Sequence, residues 1–415
     1  MRHLSTRPRR FTARKLRHAL LGAAAAVVLP VAALAPASAA HAQDAPYSDP
    51  SGAAASWLAA QASGDHFEFN GAPDVGATLD SLIGLMAAQV GGDQVQASLE
   101  WINEPDVLSS YVYSGEGEED APIALGAAGK VMYVVATAGG DPSDFGGVKL
   151  AEEVTAAPTE GLDGGTLSWA ALGLSRTEEG VSEEVAAALL AAQCSDGGFS
   201  FSVPEGGDCA SDPDTTGLAV SALTAIGEDG AEARGTALQW LQDQQGEDGS
   251  FDGGFGANAN STALAAQALL TSEDTADAAE LSVTYLIGLQ IGCGEDGEGA
   301  IRFSDPEDPE FGESSRLLAT AQALVPLSAQ NLAELDASDQ ARDVPAVECE
   351  SAEDAGTGDA GDAASDEDDG ANAWLPWVIV GAALVLLAIV AFVIVRARRG
   401  GRGAGVESAE GKDRE

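Results

Sequence analysis

More than once in this chain a glutamine closes an apolar helical run and is followed, at fixed spacing, by glycine and phenylalanine. Gln193 to Phe199 and Gln245 to Phe251 both read Q-x3-G-x-F. Gln61 to Phe67 gives Q-x3-D-x-F, and Gln290 opens a fourth, longer version. Each is followed by a polar turn and a second apolar run, starting at Asp74, Asp214, Asn260 and Glu313. Two further pairs lack the glutamine: Ala97 to Pro105 with the run from Ala121, and Lys149 to Val154 with the run from Thr166. The unit is helix, glycine-rich turn, helix, and six such pairs predict an all-α fold of twelve helices. In the second helix Leu79, Leu82, Ile83 and Met86 recur at i, i+3, i+4 and i+7, one stripe to be buried. One hairpin cannot enclose that stripe, whereas stacked hairpins can.

The ends of the chain read differently. Residues 1–42 begin with seven Lys/Arg, continue with an alanine-rich apolar run and close on Ala-x-Ala, which predicts a secretory signal peptide. Residues 374–395 are apolar and uncharged, long enough to span a bilayer core of ~30 Å as a helix. Arg396, Arg398, Arg399 and Arg402 follow, so the tail 396–415 is expected inside and the rest outside, a single-pass anchor at the cell membrane. Leu375-Pro376-Trp377-Val378-Ile379 lacks the Thr-Gly of a wall-sorting signal. Residues 349–373 are acidic and hold almost nothing large and apolar that could pack, and are expected to be a disordered stalk. The folded ectodomain is then 43–348.

Between the two apolar ends only seven Lys/Arg stand against 62 Asp/Glu. A net charge near −55 excludes nucleic acid as a partner and favours solubility at the cost of self-repulsion.

The Q-x3-G-x-F turns, the six pairs and the D/N-x-T-x-x-A starts at Asp214–Ala219 and Asn260–Ala265 resemble the α/α-toroid superfamily. That superfamily includes squalene cyclases, protein prenyltransferases, complement thioester domains and cobalamin carriers such as transcobalamin. The resemblance implies an α6/α6 toroid over about residues 53–330. In such a repeat the glutamine is placed to bond unpaired backbone groups of the turn. Gly197 or Gly249 supplies the positive φ that ends the helix, and the phenylalanine folds back over the seam.

Each enzymatic relative has its own chemistry. Class II terpene cyclases protonate an alkene with D-x-D-D; here Asp212-Pro213-Asp214-Thr215 ends in threonine. Capping accounts for the same residues, with Asp212 or Asp214 as N-cap beside Pro213, and a cap is the expectation for Asp214 as for Asp74. The zinc of prenyltransferases needs a histidine, and none lies beyond His66. Gly292-Cys293-Gly294-Glu295-Asp296 differs from the thioester motif G-C-G-E-Q in its last residue, which removes the amide. Four cysteines in an exported chain predict two bridges out of three pairings. Cys194 and Cys209 bracket one turn, which leaves Cys293 and Cys349.

The expected function is a membrane-anchored binding module that captures a corrinoid or another ligand, with Ca²⁺ at the acidic turns and a membrane uptake system as partner. The carriers' second small β domain is absent from the sequence pattern. A terpene cyclase-like or other toroid enzyme and a cell-envelope protein scaffold are the alternatives. Candidate ligand residues are Asp74, Asp214, Asn260 and Glu313 at the second-helix starts and Phe199, Phe251 and Phe255 in the turns. No catalytic residue and no metal ligand is singled out.

Overall fold

The structure, a computed structural model, describes residues 47–113, 121–202, 209–305, 307 and 312–346. The expected signal peptide, stalk, membrane span and tail lie outside the described residues, as does Cys349. Among the described residues no helix is long and apolar enough to cross a membrane.

Thirteen α-helices are described. The first seven are α1 (Pro50–Ala59), α2 (Val75–Ala87), α3 (Gly92–Ile102), α4 (Pro105–Val112), α5 (Leu125–Thr137), α6 (Leu150–Ala156) and α7 (Gly164–Leu174). They continue as α8 (Glu183–Ala191), α9 (Pro213–Ile226), α10 (Ala231–Gln244), α11 (Ala259–Leu269), α12 (Ala276–Gly288) and α13 (Arg316–Leu327). Two short antiparallel ribbons, Glu68–Phe69 with Ala72–Pro73 and Phe251–Asp252 with Ala257–Asn258, are turn decorations.

Helices α2, α5, α7, α9, α11 and α13 pack each against the next, and α13 returns to α2, so they close a ring. The remaining helices lie outside it, α8 on α7, α10 on α9, α12 on α11 and α1 on α13. Pro105 splits one outer stretch into α3 and α4, because proline suits a first helical turn and not a helix interior. Ring helices meet backbone to backbone through small residues. A Cβ on Gly129 would stand 2.3 Å from the Trp169 carbonyl oxygen, and one on Gly217 2.2 Å from that of Leu264. The stripe Leu79, Leu82, Ile83 and Met86 is buried as its spacing predicts.

The glutamines do more than satisfy their own turns: they tie each turn to the next outer helix. Gln193 Nε2 donates to the Gly197 carbonyl at 2.9 Å and to that of Ala233 in α10 at 2.8 Å. Gln245 Nε2 donates to Ala278 O and Ser282 Oγ of α12 at 2.7 and 2.8 Å. Gln290 Nε2 donates to Gly299 O and, at 2.8 Å, to Pro50 O of α1, which joins the end of the ring to its beginning. Gln61 differs, reaching back to Trp57 O of its own helix. Gly197 and Gly249 have φ of 99° and 89°. A Cβ on Gly249 would also lie 2.3 Å from Leu281 O, so left-handed backbone and close approach both require glycine there.

The threonine of the second-helix start fixes the turn from the other side. Thr78, Thr216, Thr262 and Thr320 Oγ1 accept the backbone N–H of Phe67, Phe199, Phe251 and Ile301 at 2.9 to 3.0 Å. Cys194 and Cys209 are bridged across one turn. Cys293 is also disulfide-bonded.

Beyond α13 the chain crosses the ring at the C-terminal ends of its helices. Leu332 O accepts from Tyr133 Oη of α5 at 2.8 Å and from Arg176 Nη2, just past α7, at 3.0 Å. Leu332 N donates to Gln267 Oε1 of α11 at 3.0 Å. Three ring helices converge on one residue, which places Leu332 on the ring axis. Ala337 N then bonds Thr137 O and Gly92 N bonds Ala341 O. Leu332, Leu335 and Ala337 are buried. The segment stoppers one end of the ring.

Removing a stitching glutamine leaves two carbonyl groups short of a donor. Gln193→Ala is expected to lower unfolding free energy by about 1–3 kcal/mol, and Gln61→Ala, whose bond is local and exposed, by no more than about 0.5 kcal/mol. Urea unfolding of the two variants checks this, and equal losses would refute the inter-repeat role.

Candidate functional site

The convergence on Leu332 defines which side of each ring helix faces the axis. Counted from the N-caps Ala124 and Asn258, Tyr133 and Gln267 occupy the same register, and Ser221, in that register in α9, donates to Gln267 Oε1 at 3.1 Å. One turn nearer the cap the same stripe carries Asp80, Lys130, Trp169, Leu218, Leu264 and Gln322. A further turn up, at the mouth, it carries Gly76, Gly126, Gly165, Asp214, Asn260 and Leu318. For α13 the register is taken from Thr320, which does the work of Thr78, Thr216 and Thr262.

Two facing walls of the mouth are chemically different. On α2, α5 and α7 the outermost layer is glycine. Beneath it Lys130 Nζ donates to Asp80 Oδ1 at 2.7 Å and sits 5.4 Å from the centre of the Trp169 ring. Both members of the ion pair are largely buried. Burial is the largest single influence and pulls the Lys130 ammonium down, but the charge and hydrogen bond of Asp80, with Tyr111 and Asp74, together raise the pKa. Tyr111 of α4 lies beside the pair, and burial raises its phenol pKa. The pair spans the seam between α2 and α5, where neighbouring ring helices meet least closely.

The opposite wall carries buried acceptors without donors. Asp214 Oδ1, Asn260 Oδ1 and Gln322 Oε1, on α9, α11 and α13, take no hydrogen bond. Burial raises the Asp214 pKa from its ordinary 3.8; the Ser261 hydroxyl pulls it down by less, and the nearby Asp212 charge adds to the rise. An unpaired buried acceptor costs about 1–3 kcal/mol; Arg234 Nε, Gln290 Oε1, Ser328 Oγ and Gln340 Oε1 are also unpartnered, and these three are distinguished by sharing one stripe.

The candidate residues separate. Asp74 is the N-cap of α2, accepting from Ala77 N at 2.7 Å. Asp214 is not a cap: Asp212 caps α9, accepting from Thr215 N at 2.7 Å, because Pro213 takes the first helical position and the cap must precede it. Asn260 is likewise inside its helix, and Asn258 caps α11 at 2.9 Å from Ser261 N. Glu313 lies in a 3-10 turn ahead of α13. Phe199 and Phe251 are buried in the seam, whereas Phe255 is exposed. Lys130, Asp80 and Trp169 are functional candidates that the sequence analysis passes over. Their signal was a single lysine in the otherwise apolar run Leu125–Thr137, in an ectodomain with only seven cationic side chains. Among the described residues no group of three or more His, Cys, Asp or Glu is placed to hold a metal ion.

No protein-family model matches this chain, and no curated protein does. Among solved structures it is similar to the type II terpene cyclase MstE from Scytonema in its apo form, at 14% identity and a TM-score of 0.48, covering 68% of this chain and 97% of that one. It is also similar to a glycosidase variant in complex with glucose, at 16% identity and a TM-score of 0.43, covering 67% and 98%. The toroid assignment rests on the cyclic packing of this chain's own helices.

Because the folded-state pKa of Asp214 is raised, its contribution is fully present at low pH and is lost as pH rises through that value. Asp214→Asn cannot ionise. Its melting temperature should match the wild type below about pH 4 and exceed it at pH 7. Parallel melting curves at both pH values would show that Asp214 is not buried as described.

Proposed function

We propose that the chain is a ligand-binding module built from six helix-hairpin repeats, α1–α2, α3/α4–α5, α6–α7, α8–α9, α10–α11 and α12–α13, held outside the membrane by the C-terminal anchor. Its site is the mouth of the ring, floored by the Lys130–Asp80 pair and closed below by the segment around Leu332. The observation that carries this reading is the set of unpaired acceptors Asp214 Oδ1, Asn260 Oδ1 and Gln322 Oε1 on one axial stripe. Such a wall selects a ligand that brings donors, a hydroxyl- or amine-rich small molecule, with the Trp169 ring as its one aromatic surface. The corrinoid and Ca²⁺ readings remain proposals without a residue of their own here.

Thermal melting of the full-length chain tests it, with polyols, polyamines, cobalamin and cobinamide, each with and without Ca²⁺. A donor-rich ligand at about 100 times its dissociation constant should add ~2.7 kcal/mol of stability, and Asn260→Ala should cancel the gain. No shift with any polyol or polyamine would sink the reading, and a shift with corrinoids alone would replace it with corrinoid capture.

A second reading has its own observation. Asp214 is buried, its pKa is raised, and one oxygen is unengaged, the condition of a general acid. A class II terpene cyclase-like reaction would use it to protonate an alkene, and Thr215 would stand where the motif has a carboxylate. Cyclisation of a polyprene by the wild type, abolished in Asp214→Asn, would place this reading first.

A further inference from the structure

Among the described residues five large hydrophobic side chains are exposed, and four of them stand at the capped end of the ring. Phe69 is 54% exposed, Phe201 71%, Phe255 72% and Leu318 39%. The three phenylalanines ride on three different turns. Phe69 belongs to the ribbon that leads to the Asp74 cap. Phe201 N donates to Oδ2 of the capping Asp212 at 3.1 Å. Phe255 sits at the tip between Asp252 and Ala257. The far end of the ring, stoppered by the C-terminal segment, shows none. Exposed aromatics on three turns at one end of the ring offer apolar contacts to a chain laid across that end.

Between Phe69 and Leu318 the surface dips into a notch of about 310 Å³, lined also by Asp74, Ala77, Asp80 and Leu317. Its walls are largely apolar, and beside the serines Ser81 and Ser314 its polar groups are the carboxylates of Asp74 and Asp80. Asp74 and Asp80 each use Oδ1 for the bonds already given, to Ala77 N and Lys130 Nζ, and the second oxygen of each is left to accept. The shape and chemistry match a long side chain with an apolar stem and a cationic head.

We propose that this end of the ring docks a basic, apolar peptide segment of an exported partner protein, which inserts one arginine or lysine into the notch. The stem lies between Phe69 and Leu318, and the head reaches Asp74 and Asp80. Flanking apolar residues cover Phe201 and Phe255, which a molecule filling only the notch would leave in water. Charge complementarity favours a cationic occupant, since the region between residues 43 and 395 carries 62 Asp/Glu against seven Lys/Arg. Arginine is the stronger anchor, because its planar head pairs with carboxylates and stacks on aromatic faces. This surface shares Asp80 and Leu318 with the mouth but uses none of the acceptors Asp214, Asn260 and Gln322, so its failure leaves the small-ligand reading standing.

The test is an array of twelve-residue peptides with a fixed central arginine, lysine, citrulline or glutamate and random flanks, probed with the full-length chain in detergent. Arginine and lysine peptides with apolar flanks should be retained, and their citrulline counterparts, equal in shape but uncharged, should bind at least about tenfold more weakly. Asp74→Asn keeps the cap oxygen and should also weaken the best peptide about tenfold. Phe201→Ala, at an exposed position, should weaken that peptide with no change in melting temperature. Equal retention of arginine and citrulline peptides would overturn the proposal. So would acetyl-arginine amide binding as tightly as the peptide, since it would show a small-cation pocket instead.

Discussion

The bond from the turn glutamines Gln193, Gln245 and Gln290 to the next outer helix is the constraint on which this half of the ring and its closure depend. A helix hairpin with an alanine-rich face has little apolar area per residue to hold its neighbour, and each CH₂ buried adds only about 0.8 kcal/mol. Close approach replaces bulk. Gly129 and Gly217 let ring helices touch backbone to backbone, and the short contacts fix their spacing. The glutamines Gln193 and Gln245 set the direction of the stack, because each amide reaches forward by one hairpin, and the last, Gln290, finds Pro50 of the first. A chain whose last repeat bonds its first has no exposed end of the kind that open helical solenoids must cap.

Closing a ring creates an axis, and an axis creates a need to fill or block it. The segment from Ser328 onward does so at one end, and the side chains it meets are polar, each with a partner. Gln267 Oε1 takes Ser221 Oγ and Leu332 N, and Arg176 lies 5.0 Å from the Tyr133 ring centre while bonding Leu332 O. At the other end nothing comparable covers the stripe among the described residues. Along this stripe the polar side chains beside the stopper, Ser221 and Gln267, are bonded, whereas Asp214 Oδ1, Asn260 Oδ1 and Gln322 Oε1 nearer the mouth are not. On the proposed reading, that asymmetry within one stripe separates the structural polar residues from those a ligand would engage.

Much of this was legible in the sequence. The glutamine, glycine and threonine of each turn have short-range reasons for their spacing, so they announce themselves without a structure. The caps were legible only to within two residues. Pro213 favours the helix start, and the cap is therefore Asp212; reading Asp214 as the cap ignored that proline occupies the first helical position rather than the cap. Asn258, not Asn260, caps because the Phe251–Asn258 pairing of the ribbon fixes where the helix can begin. The phenylalanines Phe199 and Phe251 turned inward because Thr216 and Thr262 hold their backbone N–H against the ring helix. Side chains two or four residues further on then face water. The role of Lys130 depends on α2, α5 and α7 meeting at the axis, which no local pattern encodes. The stoppering segment had no periodicity to read, since Leu332, Leu335 and Ala337 are buried by an irregular path.

In a domain this acidic, the position of each cation is informative. Self-repulsion among carboxylates acts everywhere, and a positive side chain relieves it most where two segments must be held close. Lys130 joins α2 to α5 across the loosest seam. Arg316 uses Nε and Nη2 to grip both oxygens of Glu307 at 2.7 Å, pinning the long turn to the start of α13. That pairing holds the Glu307 carboxyl below its usual range. Arg176 fastens the stopper, and Arg342 faces Asp93 of α3 from the chain beyond it. The exposed pair Arg342–Asp93 is worth little by itself, but Lys130 and Arg316 are largely buried, where screening is weak. Four of the seven cations, Lys130, Arg176, Arg316 and Arg342, therefore sit at joints between segments, and Lys149 and Arg302 pair with carboxylates of their own turns. The proposed peptide would bring to the surface around the notch the positive charge that the ring uses to hold its own segments together.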